Sequence, residues 1–190
     1  MQEHLDLVPG RVVGLSGPIG SGLTHLAFTL LAAQPSTVAY VDVLGWLCPV
    51  AAWEAGLEPD RLIVVRCSNQ KLWPQVVGAL VDGVPSVYAE VPEGVGEAVL
   101  RRLAALTRAR GTTLLMRPLQ GELPEGVAFT RIRSVGIEWE GTAQGHGRLR
   151  SRQMTVDLSG KGAPPARVEV ETDGALRVVS RVASSRYAIG

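Results

Sequence analysis

The sequence is poor in lysine, although it is not poor in basic residues. Lys71 and Lys161 are the only lysines, the other 17 of the 19 basic residues are arginine, and the net charge is +1. A charge this close to zero gives no general electrostatic case for nucleic-acid binding. Arginine suits bidentate contacts at interfaces, but its excess also fits a GC-rich genome, which is the interpretation that we favour.

Cysteine and histidine are scarce as well. Cys48 and Cys67 have no paired spacing, and the three histidines are scattered. These counts exclude a disulfide framework and a zinc motif, so we expect no metal. The sequence has no apolar run of membrane-spanning length and no signal-peptide pattern. We therefore expect a cytoplasmic protein without membrane contact.

The composition is that of an ordinary globular chain. Of the 190 residues, 46% are hydrophobic and 19% are charged, which favours one domain with a sizeable core. We expect that domain to cover residues 1–182. Residues 183–190 are predicted to form a flexible tail.

Periodicity predicts an α/β fold. Strand-like runs alternate with amphipathic stretches of helical length up to Pro118, and strand-like segments alone follow. Strands are predicted at 11–15, 37–42, 62–66, 86–90, 112–117, 129–139, 149–158, 167–172 and 175–182. Helices are predicted at 23–34, 47–56, 72–82 and 95–110. The pattern indicates a mainly parallel sheet flanked by helices, extended by C-terminal antiparallel strands with a hairpin turn at Asp173-Gly174.

A glycine-rich segment between the first strand and the first helix is the most informative motif. It has the phosphate-binding pattern G-x-x-x-x-G-K-[ST] at every position except the lysine, where Leu23 stands. In that pattern the backbone N–H groups cradle phosphates, the lysine reaches the β- and γ-phosphates, and the hydroxyl ligates Mg²⁺. The candidate nucleotide-binding residues are Gly17, Gly20, Ser21, Gly22, Leu23 and Thr24.

Two interpretations of this loop are open. The loop could still bind nucleotide through its backbone N–H groups and the helix N-terminus, with Thr24 as a metal ligand. It could instead be an inherited strand-to-helix turn that needs its glycines in order to fold. We favour the second interpretation and expect no cofactor, with ATP and magnesium as the alternative.

In their order along the chain, these segments resemble the core of the RecA recombinase superfamily. The resemblance lies in residues 9–17, 38–42 and 57–66, which look like the entry into the phosphate loop, the second strand and the approach to the third strand. Within that superfamily, residues 135–139 and 145–152 resemble the closing strands of the SulA/ImuA group. This resemblance implies a RecA-like fold over most of the chain.

The departures from the family's pattern predict a protein that is not an enzyme. Residues 43–46 contain no glutamate to position an attacking water, Glu90 stands nearest to the place of a metal-supporting aspartate, and Arg117 stands where a nucleotide-sensing glutamine should end the fifth strand. Phosphoryl transfer depends on positioned charge and a positioned water. The resemblance gives Glu90 a vestigial nucleotide-binding role.

The likeness to the SulA/ImuA group implies an accessory role in the bacterial DNA-damage (SOS) response. Members of this group assemble a translesion-synthesis complex, the mutasome, with DNA-repair proteins that include a Y-family-like polymerase homologue of the ImuB type. RecA is a further expected partner, and DNA contact stays open. The alternatives are a residual ATP-binding regulator of recombination and a SulA-type inhibitor of cell division.

Two groups of side chains are candidates for partner contact. Arg148, Arg150 and Arg152 alternate, so on a strand they would share one face, where they would meet a partner or DNA or form a solvated edge. Trp46 and Trp53 suit binding hot spots, but we favour core packing or helix-to-sheet contact for them.

Overall fold

The computed structural model describes residues 5–140, 151–161, 165–172 and 176–182. Within these ranges, no helix is both long and apolar enough to span a bilayer. The strands are β1 (Val12–Ser16), β2 (Val38–Asp42), β3 (Leu62–Arg66), β4 (Ser86–Val91), β5 (Thr113–Pro118), β6 (Thr130–Glu140), β7 (Ser151–Gly160), β8 (Ala166–Thr172) and β9 (Leu176–Val182). The helices are α1 (Leu23–Ala32), α2 (Pro49–Glu54), α3 (Trp73–Gly83) and α4 (Glu97–Arg110), with a 3-10 turn at Pro59–Arg61.

All of these strands belong to one mixed sheet in the order β3-β2-β4-β5-β1-β6-β7-β8-β9. The strands from β3 to β6 in that order pair in parallel, and β7, β8 and β9 continue the sheet antiparallel. The predicted fold class is confirmed, and each predicted bound lies within about two residues of the observed one. Asp173-Gly174 lies outside the described residues, although the flanking strands β8 and β9 do pair antiparallel.

The parallel strands bury both of their faces, which explains why they read as continuous apolar runs. In β4, Tyr88 joins the core formed with α1 and α2, whereas Val87 and Ala89 join the core formed with α3 and α4. The first core continues under β7 and β8 through Met154 and Val168. The C-terminal strands are therefore part of the same folded body as the parallel sheet.

The carboxyl ends of the parallel strands meet at one edge of the sheet, where α/β proteins commonly bind ligands. The 17–24 loop follows β1 at this edge. Glu90 of β4 and Arg117 of β5 are register partners there, so the topology places both close to the loop.

A β-bulge in β6 changes which side chains face α1. Ser134 pairs with Val156 and Gly136 pairs with Thr155, so that Val135 is the extra residue. Because side chains alternate along a strand, one extra residue reverses the alternation beyond it. Ile137 and Trp139 consequently lie opposite Met154 and Arg152, on the face that a regular strand would have given to Gly136 and Glu138.

Candidate phosphate-binding site

The 17–24 loop connects β1 directly to the N-terminus of α1. Gly20 and Gly22 have φ angles of 81° and 77°, a left-handed conformation that favours glycine. Gly22 precedes the first helical residue, and the first turn of α1 has neither an acidic residue nor a side-chain cap. The free N–H groups of this turn and the positive end of the helix dipole are therefore available to an anion.

Leu23, which stands in the place of the motif's lysine, is a core residue. It is 1% exposed and packs with Leu26 and Phe28 of α1. Its Cδ1 lies 3.1 Å from the position that a Cβ on Gly17 would take. The position that normally supplies a cation is thus filled by apolar packing beneath the loop.

Ser21 is the most deeply buried polar side chain of the loop. It is 4% exposed, and its Oγ has no hydrogen-bond partner. The neighbouring Ser134 hydroxyl donates to the Ser21 carbonyl oxygen at 3.4 Å, so the segment next to the bulge holds the loop from β6. A buried hydroxyl without a partner is unusual because its desolvation is not offset.

Thr24 contacts an arginine rather than standing open to a metal. The Arg117 guanidinium donates a hydrogen bond from Nη1 to Thr24 Oγ1 at 2.8 Å. The Tyr88 hydroxyl is fully buried beside these two residues and interacts with both of them. Burial raises the pKa of Tyr88, which keeps its hydroxyl protonated and able to donate.

A second arginine reaches the loop from β7. Arg152 lies with Nη1 3.2 Å from the position of a Cβ on Gly22, and its guanidinium carbon is 5.5 Å from the centre of the Trp139 ring. Its Nε has no hydrogen-bond partner, and burial lowers its pKa. Among the described residues, no carboxylate forms an ion pair with Arg152.

The pKa of His25 is sensitive to the positive charge around this helix N-terminus. Its pKa is lowered by burial and by the nearby Arg152, and the carboxylate of Glu54 on α2 acts in the opposite direction. Since both leading causes disfavour the imidazolium, His25 is neutral at pH 7.

The two carboxylates at the sheet edge are occupied by protein donors. Glu90 is 1% exposed. Its Oε1 accepts hydrogen bonds from the Tyr40 hydroxyl at 2.8 Å and Trp46 Nε1 at 3.0 Å, and its Oε2 accepts one from Val43 N at 2.9 Å. The Asp42 carboxylate accepts hydrogen bonds from Gly45 N and Leu47 N. Both side chains therefore order the connection between β2 and α2.

These residues do not fit a magnesium-bound triphosphate held in the manner of the motif. The lysine position is apolar, the threonine hydroxyl is bound by Arg117, and Glu90 is enclosed by three donors. Across residues 5–140, 151–161, 165–172 and 176–182, no group of histidine, cysteine or acidic side chains is arranged to hold a metal ion.

The structure places the sequence candidates in different settings. The loop residues lie together, and Glu90 lies behind them in the network just described. Arg148 and Arg150 lie outside the described residues, while Arg152 packs against Trp139 beside the loop, and the partner-contact role of all three stays a prediction. Core packing was wrong for Trp46 and Trp53, which are 50% and 45% exposed, although Trp46 does contact the sheet through Glu90. Trp46 lies in the connection between β2 and α2, and Trp53 lies on the short helix α2.

The sequence interpretation named Arg152 as a candidate for partner or DNA contact, but it placed neither Arg117 nor Arg152 beside the loop. Arg117 was read only as a lost glutamine. Its position at the end of β5 was the available signal, because the ends of β5 and β1 share one edge of a parallel sheet. For Arg152, the signal was the switch of apolar positions in β6 from Ile132 to Ile137, which marks the bulge.

Comparisons with known proteins agree with this fold. Residues 3–124 match the family model described as MT3502 N-terminal domain. Protein RecA of Synechocystis sp. is 31% identical over 127 residues, which cover 62% of this chain and 36% of that relative. Protein RecA of Lactiplantibacillus pentosus is 31% identical over 124 residues, which cover 60% and 33% respectively. The chain thus spans about a third of the length of these curated relatives.

A solved structure extends the likeness to the C-terminal strands. The structure titled "Crystal structure of the RadB recombinase" superposes with a TM-score of 0.64 at 17% identity, and the match covers 94% of this chain and 96% of that chain. At this identity the superposition shows the fold, and the fold is RecA-like.

Proposed function

Because the chain belongs to the MT3502 N-terminal domain family and has a RecA-like fold, we propose that it is a non-catalytic accessory protein of the bacterial DNA-damage response. In this role it assembles an ImuA-type translesion-synthesis complex through protein contacts. Its partners are a Y-family-like polymerase homologue of the ImuB type and RecA. The observation that carries the proposal is Leu23, a core residue at the position of the catalytic lysine.

The non-catalytic part of the proposal rests on charge placement. Phosphoryl transfer needs positioned cations, a metal and an oriented water. Here Leu23 contributes no charge, and the carboxylates of Asp42 and Glu90 each accept hydrogen bonds from the protein. Glu90, which stands nearest to the metal-supporting position, is enclosed by three donors, and this supports a non-catalytic role.

The adaptor part is supported by an exposed apolar surface. We call the connection that carries Leu44, Trp46, Val50 and Trp53 the 44–53 surface, and each of these side chains is between 44% and 51% exposed. Tryptophan is enriched among the residues that dominate binding energy in protein interfaces. This surface therefore supplements the arginines 148, 150 and 152 as a partner contact.

We expect the purified protein to release no phosphate from ATP above a buffer control, with magnesium and with single-stranded DNA present. Leu23→Lys restores the motif's lysine, and we expect it to stay inactive because the glutamate that positions water is also missing. Phosphate release is measured over many turnovers in preparations free of contaminating hydrolases. Sustained turnover by the wild type, or turnover switched on by Leu23→Lys, would show that the chain keeps a catalytic apparatus.

We expect the wild-type chain to bind the polymerase homologue of its own organism in a purified two-component assay. The double variant Trp46→Ala/Trp53→Ala should weaken that binding roughly tenfold or more. Val8→Ala is the matched control, since Val8 is also exposed (48%) and lies outside the 44–53 surface. No binding by the wild type would contradict the adaptor role, and filamentous cells on overproduction without any change in damage-induced mutation would favour a division inhibitor.

A nucleotide-binding regulator of recombination is the second candidate function. The unpartnered, buried Ser21 hydroxyl and the two arginines beside the loop favour it. Binding without hydrolysis would be compatible with the adaptor role.

A further inference from the structure

Two polar groups around the 17–24 loop are buried without a hydrogen-bond partner, Ser21 Oγ and Arg152 Nε, whereas the fully buried Tyr88 hydroxyl interacts with Thr24 and Arg117. Ser21 lies within the loop, Tyr88 lies beneath Thr24, and Arg152 lies beside Gly22. We propose that this loop binds the phosphate groups of a di- or triphosphate without a metal ion. The guanidinium groups of Arg117 and Arg152 take the places that the motif gives to lysine and magnesium.

Arg117 replaces the metal in this arrangement. In the motif the threonine hydroxyl ligates Mg²⁺, which in turn contacts phosphate oxygens. Here the Thr24 hydroxyl accepts a hydrogen bond from Arg117 at 2.8 Å, so a positive charge already stands next to it. A guanidinium group has five N–H donors in a fork that suits phosphate. Arg117 also interacts with the Tyr88 hydroxyl, and the proposal assigns its remaining donors to the ligand.

Arg152 replaces the lysine. Its guanidinium is half-buried beside Gly22, at the positive end of the α1 dipole, where a second positive charge is unfavourable by itself. None of the ion pairs of the described residues includes it. An anion bound at the helix N-terminus would offset both charges at once.

The carboxylates near the loop do not compete with such an anion. Glu90 is enclosed by three donors. Glu122, which accepts a weak hydrogen bond from Ser16, also lies 3.6 Å from the Arg133 guanidinium. The bulge at Val135 gives the face beside the loop to Ile137 and Trp139 rather than to Glu138.

This inference deepens the second candidate function by naming its ligand chemistry. It rests on the loop geometry and is independent of partner binding. A failure of the polymerase-binding assay would therefore leave it standing, and a failure of phosphate binding would leave the adaptor role standing.

The test is a calorimetric titration of the full chain with ATP and, separately, with inorganic tripolyphosphate, each in EDTA and in magnesium. We expect saturable binding at one site in EDTA, with at most about a twofold change in magnesium. Arg117→Ala and Arg152→Ala should each weaken binding roughly ten- to a hundredfold, the cost of a lost hydrogen bond to a charged group. Arg66→Ala is the control, since Arg66 ends β3 at the same sheet edge and its side chain is 72% exposed.

Comparing ATP with inorganic tripolyphosphate shows whether the site recognises a nucleotide or only a chain of phosphates. Equal affinities mean that the site recognises the phosphate chain alone, and tighter binding of ATP means that it also recognises the nucleoside. An absolute requirement for magnesium, or no saturation by either ligand in EDTA, would overturn the proposal without any variant.

The wild-type protein offers a second measurement that does not depend on the folding of variants. An anion beside Arg152 should raise the pKa of His25, because it cancels one of the causes that lower it. Glu54 is the opposing charge on α2 and stays constant in this comparison. NMR titration of His25 with and without saturating tripolyphosphate measures the shift, and an unchanged pKa would place the anion away from this loop.

Discussion

Replacing Glu90 with alanine should lower the free energy of unfolding by about 4 kcal/mol, because it leaves buried donors without acceptors. The Tyr40 hydroxyl and the Val43 N–H lose their hydrogen bonds at 2.8 Å and 2.9 Å, and neither can reach water without opening the core. Trp46 also loses its acceptor, but this half-exposed side chain can turn to solvent. The measurement is urea unfolding followed by circular dichroism.

Two tyrosine variants calibrate this result. Tyr40→Phe removes only one donor of the network, so it should cost about 1.5 kcal/mol. Tyr88→Phe removes a buried hydroxyl that lies outside the Glu90 network, beside Thr24 and Arg117, and should cost about 1 kcal/mol. If Glu90→Ala were as stable as the wild type, the carboxylate would not be held in this network and would be available to a nucleotide or metal.

Gly160→Ala should destabilise the C-terminal strands by about 3 kcal/mol or more, through overlap of its Cβ with the main chain. Gly160 faces Thr130 across the β6–β7 pair, and an added Cβ would overlap the Phe129 carbonyl oxygen. That oxygen also accepts a hydrogen bond from Lys161 N at 3.0 Å. Backbone has to move to relieve the overlap, which loosens the join between the parallel and antiparallel parts of the sheet.

Hydrogen exchange shows where the damage lies. Amides of β7 and β8 should lose protection in Gly160→Ala, whereas those of β2 and β4 should keep it. Gly83→Ala is the matched control because a Cβ there meets open space, and it should be nearly neutral. Equal protection in both variants would mean that the strand pair absorbs the extra atom.

Most of the fold could be predicted from the sequence, because the apolar runs of strands and the amphipathic periodicity of helices are local patterns. The apolar run at 86–90 and the amphipathic stretch at 95–110 each specify one element without any knowledge of their neighbours. The change in character after Pro118 predicted the antiparallel extension but not where it begins. The strand that follows Pro118, β6, pairs in parallel with β1, and the antiparallel pairing begins only between β6 and β7. The β6 bulge was not predicted, because its one local signal, the odd spacing between Ile132 and Ile137, is clear only once the pairing with β7 is known.

The candidate site was harder to predict from the sequence than the fold, because its residues are distant from one another along the chain. Residues 17–24 can be recognised in the sequence because they form one continuous motif. The two arginines beside them, Arg117 and Arg152, come from β5 and β7. Arg117 and Thr24 are 93 positions apart, and only the sheet order brings them together. The sequence therefore showed that the motif's lysine is missing, but it could not show that the guanidinium groups of Arg117 and Arg152 lie beside the loop.

The extra residue at Val135 has a consequence for how β6 tolerates changes in length. Removing Val135 would abolish the bulge but keep Trp139 opposite Arg152, because Val135 is the residue without a partner on β7. Inserting one residue beside it would instead shift the alternation, so that Glu138 rather than Trp139 would point to the α1 N-terminus. The loop would then meet a negative charge in place of an indole ring. A single-codon insertion at this point, unlike a deletion, would therefore place a negative charge next to the loop while leaving every residue of the loop itself intact.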